Sequence, residues 1–314
     1  MIRSVATDAT AIMGVPRHIA RRGVLIGITA ACTYAVGPVL MKAALDSMTV
    51  WTLLVWRLIV AGALLWALPV SRRAIRAMPR TARAWIGPLA LGAVAYAGQL
   101  VLFATALERV SASMATILFH TAPIVVVAAA LLTGREGMTP LRGLALVLGV
   151  GGVAIVAAAS GDLRAEPLGI VLSLGSAVAC AAVIVGIDRL GDDVEPLPLA
   201  VLLITGSTLA ILAAVPVTGV GVPSGRDEWL LVLALGIVPG VIGSVALLAA
   251  IGDIGPSLAS ILLTLEPPVT VLLAWLALDE RLSALQLAGG AVILAAMVVA
   301  NRAATRPPLE VPPA

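Results

Sequence analysis

Charged residues are scarce in this chain of 314 residues, where they make up 12%, while hydrophobic residues make up 61% and the mean hydropathy is +1.10. Soluble domains carry about 25% charged and about 45–50% apolar residues. A soluble fold of this size could not hide so much apolar surface. The composition therefore excludes a soluble protein and predicts an integral membrane protein.

Cysteine and histidine are rarer still, with two of each. Cys32 and Cys180 lie in apolar runs without metal-ligand spacing, which excludes a disulfide framework and predicts free thiols. Only His120 lies in an apolar run, so we expect no metal site. The sequence also lacks a phosphate-binding loop and a Ser-His-Asp set, so we expect no cofactor, no direct use of ATP and no catalytic residue.

The excess of positive charge is small, with a net charge of +3 and a pI near 9.4. The arginines stand between apolar segments instead of covering one soluble face. We interpret them as topology determinants and lipid-headgroup contacts. The expected partner is therefore a lipid bilayer and not a nucleic acid.

Long apolar runs are what this chain has in abundance. A helix that crosses a bilayer needs about 20 apolar residues. The sequence predicts an all-α integral membrane protein with ten transmembrane helices joined by short loops. The predicted spans are 24–44, 50–70, 85–106, 113–133, 140–159, 167–187, 197–218, 229–251, 256–278 and 284–301.

The lysines and arginines predict how the ten spans are oriented. With a cytoplasmic N-terminus, fourteen of them lie on the cytoplasmic side, five lie outside, and Arg57 falls within a span. The positive-inside rule therefore predicts that both tails, 1–22 and 303–314, are cytoplasmic. The five on the outside are Lys42, Arg109, Arg164, Arg226 and Arg281.

A long internal repeat divides the chain into halves. The stretch from Ser113 to Glu136 returns 144 positions later as Ser257 to Glu280, with apolar residues and a proline at matching places. We assign the first half to 23–160 and the second to 161–302. Five spans per half is an odd number, so the second half enters the membrane inverted. Inverted repeats are typical of transporters, which bind substrate between the halves, and we expect a central cavity there.

Two motifs resemble a known family. Leu265-Glu266-Pro267, followed by an apolar run and Leu278-Asp279-Glu280-Arg281-Leu282, is similar to the end of the repeat in EamA-type members of the drug/metabolite transporter superfamily. Pro123 with Gly134-Arg135-Glu136 matches more loosely, and Arg57 resembles an arginine often seen early in the second helix. The resemblance implies a secondary transporter, commonly an exporter of amino acids or other small metabolites, here in the bacterial cytoplasmic membrane.

Glu266 is the sharpest candidate for a functional residue. It lies about 15 Å along its span, near the midplane, where ionisable groups are costly and usually functional. There it can bind and release a proton, or alternatively remain neutral and close a helix break. Pro267 and Pro268 remove backbone donors and predict that break, and Pro123 predicts the corresponding one in the first half.

Three further ionisable residues lie within or near the spans. His120 either couples transport to protons or is simply bonded to a neighbouring carbonyl. Arg57 needs an anion, which is either Glu266 or a substrate carboxylate. Lys42 lies nearer the outer end and can extend its ammonium to the interface, so it is the weakest ligand candidate.

Polar-tipped and aromatic side chains supply the rest of the predicted pocket. Tyr96, Gln99 and Phe103 share one face of the third helix at spacings of three and four. This face either lines the cavity or packs helices together. The full set of pocket candidates is Tyr34, Trp56, Tyr96, Gln99 and Phe103.

Several alternatives stay open. The driving force is a proton or a counter-substrate, and the protein is a monomer or a homodimer. A lipid or lipid-linked sugar flippase is the second transporter hypothesis. A membrane-embedded enzyme with His120 or Glu266 as acid and base is the weaker one, because no nucleophile or metal accompanies them.

Overall fold

The computed structural model describes residues 17–134, 137–158, 167–190 and 194–304, and every regular element within them is helical. Ten of these helices are long and apolar enough to cross a membrane, which confirms the prediction. Most of the predicted tails, at 1–16 and 305–314, lies outside the described residues. The helices are α1 Ile19–Ala44, α2 Val50–Ala67, α3 Ala82–Leu107, α4 Ala112–Leu132, α5 Pro140–Ala158, α6 Pro167–Leu190, α7 Pro196–Thr218, α8 Arg226–Gly255, α9 Leu258–Leu278 and α10 Ala284–Arg302.

Loop residues decide where most of the helices begin. The side chains of Thr49, Thr81 and Ser111 accept hydrogen bonds from backbone N–H groups in the first turns of α2, α3 and α4. Proline is the first residue of α5, α6 and α7, where its missing N–H leaves no helical bond unmade. The short loops can therefore be read from the sequence together with the spans.

Odd-numbered helices run from one face of the bundle to the other, and even-numbered helices return. We call the face with the start of α1 and the end of α10 the near face, and the opposite one the far face. Arg22 at the start of α1 lies 3.5 Å from Asp253 at the end of α8, which places both at the near face. The second set of five helices therefore runs inverted relative to the first.

The two halves pack against each other through matching helices. α1 packs on α8 and α3 packs on α6, which are equivalent pairs under the inverted repeat. α5 packs on α10, and α2 packs on α7. Both α3 and α8 contain a π-helical turn, at Gly92–Tyr96 and Gly236–Gly243, again starting 144 positions apart. Such turns are frequent at functional sites, and they lie here in the helices beside the centre of the bundle.

One predicted loop was wrong. The stretch 71–84 was predicted as a loop after a span ending at 70, but α2 ends at Ala67 and a further helix spans Pro69–Ala77. Pro69 begins this helix because proline cannot continue α2 but suits a first helical turn. Its arginines are exposed, while Ser71 and Ile75 are buried, so the helix is amphipathic.

Candidate functional site

Helices α4 and α9 are each interrupted halfway across the bundle. In α4 the first segment ends at Phe119 and the second begins at Ala122. In α9 the first segment ends at Leu263 and the second begins at Glu266. Pro123 and Pro267 each occupy the second position of the new segment, where they lack the N–H that would continue the helix. The predicted breaks therefore fall at matching positions of the two repeats.

His120 and Glu266 meet at these breaks. Nε2 of His120 lies 3.5 Å from Oε2 of Glu266, and both side chains are largely buried. Nδ1 of His120 lies 2.8 Å from the carbonyl oxygen of Thr116 in the preceding turn. The imidazole therefore bonds to a neighbouring carbonyl, as the structural interpretation of this residue expects, and it also faces a carboxylate.

The two contacts of His120 determine which of its ring nitrogens carries a hydrogen. The Thr116 oxygen can only accept, so Nδ1 carries a hydrogen and donates it. Nε2 then faces the Glu266 carboxylate, and the contact is attractive only when a hydrogen lies between these two atoms. Without that proton, a ring lone pair faces a carboxylate and the contact is repulsive. The chemistry of this pair is thus that of two groups that could exchange a proton.

Aromatic rings connect this pair to α3. The Phe119 ring lies edge-on to the rings of His120, with centroids 5.5 Å apart, and of Phe103, at 5.4 Å. Phe103 is one of the predicted pocket residues, so the predicted face of α3 does turn toward the breaks. Gln99 and Tyr96 lie on the same face of α3, one and two turns before Phe103.

Tyr34 and Tyr96 continue the cluster on the other side of Glu266. The Tyr34 hydroxyl lies 3.3 Å from Oγ of Ser244, and its ring is within electrostatic reach of Glu266 and Tyr96. Cys180 of α6 is also within such reach of Glu266 and Tyr96. Both cysteines are free thiols, as predicted.

Arg57 is buried next to this cluster but does not pair with Glu266. Its Nη1 lies 2.9 Å from Sδ of Met41, and Tyr96 is within electrostatic reach of the guanidinium. Among the described residues, the ion pair of Glu266 is with His120. Of the two partners expected for Arg57, the protein carboxylate is therefore engaged elsewhere.

Comparison with known proteins identifies the family. The sequence model of the EamA-like transporter family matches residues 21–158 and matches again over residues 167–302. The chain belongs to the EamA-like transporter family. It is accordingly a multi-pass membrane protein and a membrane transporter.

Two individual proteins are similar to this EamA-like chain. An uncharacterized transporter named YdfC from Bacillus subtilis (strain 168) is 27% identical over 203 residues, which cover 64% of this chain and 66% of that protein, just under two thirds of it. A solved crystal structure superposes with a TM-score of 0.62 at 21% identity, over 89% of this chain and 98% of the other. This structural likeness supports the fold alone.

The two family matches each contain five helices, but the matching positions at the breaks carry different chemistry. His120 and Ala122 in the first match correspond to Thr264 and Glu266 in the second. The pair of His120 and Glu266 in this EamA-like protein thus takes one residue from each half. Within the described ranges, no three His, Cys, Asp or Glu side chains lie close enough together to hold a metal ion.

Three predicted site residues lie away from the central cluster. Lys42 donates from Nζ to the carbonyl oxygens of Leu107 and Val110, where α3 ends at the far face. Trp56 donates to the carbonyl oxygen of Gly221 at 3.0 Å and stacks edge-on against Trp229. Both contacts fasten helices and loops near the far face. Pro268, unlike Pro267, is exposed on the surface of the bundle.

Glu280 has a structural role that we did not predict. Its carboxylate accepts from the backbone N–H groups of Ala112 and Ser113 at 2.7 and 3.0 Å, and from the Ser113 hydroxyl at 2.8 Å. It thereby caps α4 and joins the start of α4 to the end of α9. The repeat contains both Ser113 and Glu280, so the signal was present, but the alignment does not show that they touch. The repeat mate Glu136 lies outside the described residues.

Proposed function

We propose that this protein is a secondary active transporter that exports a small metabolite across the bacterial cytoplasmic membrane by alternating access. We further propose that a proton moving the opposite way drives export through His120 and Glu266. The observation that supports this proposal is the contact between the two residues, because it joins the halves at the midpoint of two broken helices and requires a proton.

The coupling works through the presence or absence of that proton. With the proton bound, the contact between His120 and Glu266 is attractive and holds the breaks of α4 and α9 together. When the proton leaves, the imidazole lone pair and the carboxylate repel, and the halves are free to separate there. A substrate group that binds Glu266 in place of the proton would also remove the attraction to His120 and leave the halves free to separate. Proton and substrate therefore bind in alternation.

The packing of α4 and α9 supports a direction. Their far-face segments pack together, and Glu280 caps α4 there. Their near-face segments pack on other helices: Leu262 of α9 lies against α1, and Ile124 of α4 lies against Gly149 of α5. We interpret this conformation as closed at the far face and loading from the near face. The positive-inside rule makes the near face cytoplasmic, so loading from the cytoplasm means export.

Reconstituted liposomes test this function. A thermal-shift screen against amino acids, sugars, nucleosides and cationic drugs first selects a ligand, and its flux is then measured with and without a pH gradient. We expect Glu266→Gln and His120→Gln to abolish the pH-dependent flux, while Asp279→Asn, an exposed carboxylate, leaves it intact. Unchanged pH-dependent flux in Glu266→Gln would refute the proton role. Flux that needs a counter-substrate but no pH gradient would support exchange instead.

A further inference from the structure

Arg57 is a buried cation without an anionic partner in the described part of the chain. Only 9% of the surface of Arg57 is exposed. Its hydrogen bond goes to the thioether sulfur of Met41, which is a weak acceptor. The ion pairs among the described residues do not include it. Its charge is therefore left uncompensated in the middle of an apolar bundle.

An uncompensated buried charge costs free energy. Other charged residues of this chain avoid that cost through partners in the protein. Lys42, a cation near the far face, donates to two helix-terminal carbonyls. Glu266, the buried carboxylate nearby, is engaged by His120. Natural proteins rarely keep an isolated buried charge unless a partner completes it. The missing anion is thus most simply supplied by a ligand.

Two polar side chains of α3, one of them within electrostatic reach of Arg57, are also without hydrogen-bond partners among the described residues. The hydroxyl of Tyr96 is within electrostatic reach of the guanidinium. Gln99 follows one turn later on the same face of α3. Neither side chain makes a hydrogen bond to another described residue, in contrast to Tyr34, which bonds Ser244. Donors on α2 and α3 therefore stand together with open hydrogen-bonding capacity.

We infer that Arg57, with Tyr96 and Gln99, binds the carboxylate of the exported metabolite, so that the substrate class is a small carboxylate. This inference rests on the proposed transport function. A guanidinium binds a carboxylate through two parallel hydrogen bonds, which a neutral carboxamide cannot replace. From Tyr96 to Phe103 the helix rises about 10 Å, so a ligand of amino-acid size held at Arg57 reaches toward His120 and Glu266.

The first experiment needs no substrate. In the ligand-free protein, Arg57→Met removes a charge that nothing in the protein uses, so the melting temperature should stay the same or rise. Lys42→Met is the matched control, and it should lower the melting temperature because two carbonyls lose their donor. If the melting temperature of Arg57→Met is as low as that of Lys42→Met, the cation is structural and the inference is wrong. The same conclusion follows if Arg57→Met does not fold while Arg57→Lys does.

The second experiment tests the ligand class with matched pairs of probes. The pairs are L-leucine and L-leucinamide, L-glutamate and its diamide, benzoate and benzamide, and nicotinate and nicotinamide, with inorganic phosphate added. At least one carboxylate should stabilise the wild type at a concentration tenfold or more below that of its amide, and Arg57→Met should lose this difference. Equal effects of acids and amides, stabilisation by phosphate alone, no shift with any carboxylate, or a difference retained in Arg57→Met would each overturn the inference.

Flux measurements separate this inference from the proposed function. Carboxylate binding that depends on Arg57, without flux in liposomes, would leave the anion site standing and remove the transport proposal. Flux that depends on Glu266 and His120 but is unchanged in Arg57→Met would support the transport proposal and remove the anion site.

Discussion

The buried polar residues of this bundle differ in what satisfies them. Glu280 and Lys42 serve helix ends, since one accepts from the free N–H groups of α4 and the other donates to the free carbonyls of α3. His120 and Glu266 serve each other. Residues that bond to the backbone are structural, so replacing them should lower the stability of the protein. Replacing the pair of His120 and Glu266 should instead change how stability depends on pH.

Glu280 provides a prediction about stability. Glu280→Gln keeps the shape but loses the charge that strengthens three hydrogen bonds at a helix N-terminus, where the dipole favours an anion. We expect a loss of about 1–3 kcal/mol, measured as a lower midpoint of thermal unfolding in detergent. Asp279→Asn is the neighbouring control, because its carboxylate is exposed and makes only a 3.5 Å contact with Arg281. Equal effects of the two substitutions would contradict the capping role.

The pair of His120 and Glu266 provides a prediction about pH. In the proposed function the folded protein holds a proton in this contact more tightly than the unfolded chain does, so the stability that the contact contributes is lost as pH rises. The melting temperature of the wild type should therefore fall with rising pH more steeply than that of the double variant His120→Gln with Glu266→Gln. Parallel curves for the two proteins would show that the contact holds no proton.

How far the sequence predicts single residues depends on the range of the interaction. Glu266 and His120 were predicted to lie deep in the bundle because depth along a span follows from local periodicity. That His120 takes Glu266 while Arg57 does not depends on how helices of different halves rotate against each other. No spacing within one helix encodes that rotation.

At the scale of helices, glycine sets how closely the two halves approach. A Cβ added to Gly206 of α7 would stand 2.1 Å from the backbone oxygen of Leu89 in α3, so the two main chains are in direct contact. Gly151 of α5 has nothing within 4 Å of the equivalent point. The same substitution should therefore have opposite effects at the two sites.

The prediction concerns Gly206→Ala and Gly151→Ala. Alanine at 206 must push α7 away from α3, because a backbone atom cannot swing aside, and we expect a loss of about 1–3 kcal/mol or more. At 151 alanine should be neutral or stabilise by up to about 1 kcal/mol, since it favours the helix over glycine. Thermal unfolding of both variants is the measurement. A stable Gly206→Ala protein would mean that α3 and α7 do not pack this closely.

The predicted helix bounds agree with the structure because apolar length and loop chemistry act locally. Spans 140–159 and 197–218, for example, became Pro140–Ala158 and Pro196–Thr218. The helix at Pro69–Ala77 was not predicted, because its arginines were interpreted only as topology determinants and the helical spacing of its apolar residues was overlooked. The π-helical turn at Gly92–Tyr96 carries no residue that marks it and could not be predicted.

At the scale of the whole molecule, the inverted repeat is symmetric in shape but not in chemistry. Both halves break one helix at the same place, which gives each a hinge of similar form. Only one acid and one histidine lie at these breaks, so the contact between Glu266 and His120 has no symmetry mate. In the proposed function, the symmetric shape lets the protein face either side, and the asymmetric residues carry the coupling.

The orientation of the bundle is the property on which the direction of transport depends, and it is directly measurable. Arg73 at the near face and Arg226 at the far face are both exposed, so each can be replaced by cysteine after Cys32 and Cys180 are changed to alanine. Because arginines concentrate at the near face, we expect a membrane-impermeant maleimide added to intact cells to label Arg226→Cys and not Arg73→Cys, and to label both after lysis. The reverse pattern would place the near face outside. The conformation seen here would then load from outside, and the protein would be an importer rather than an exporter.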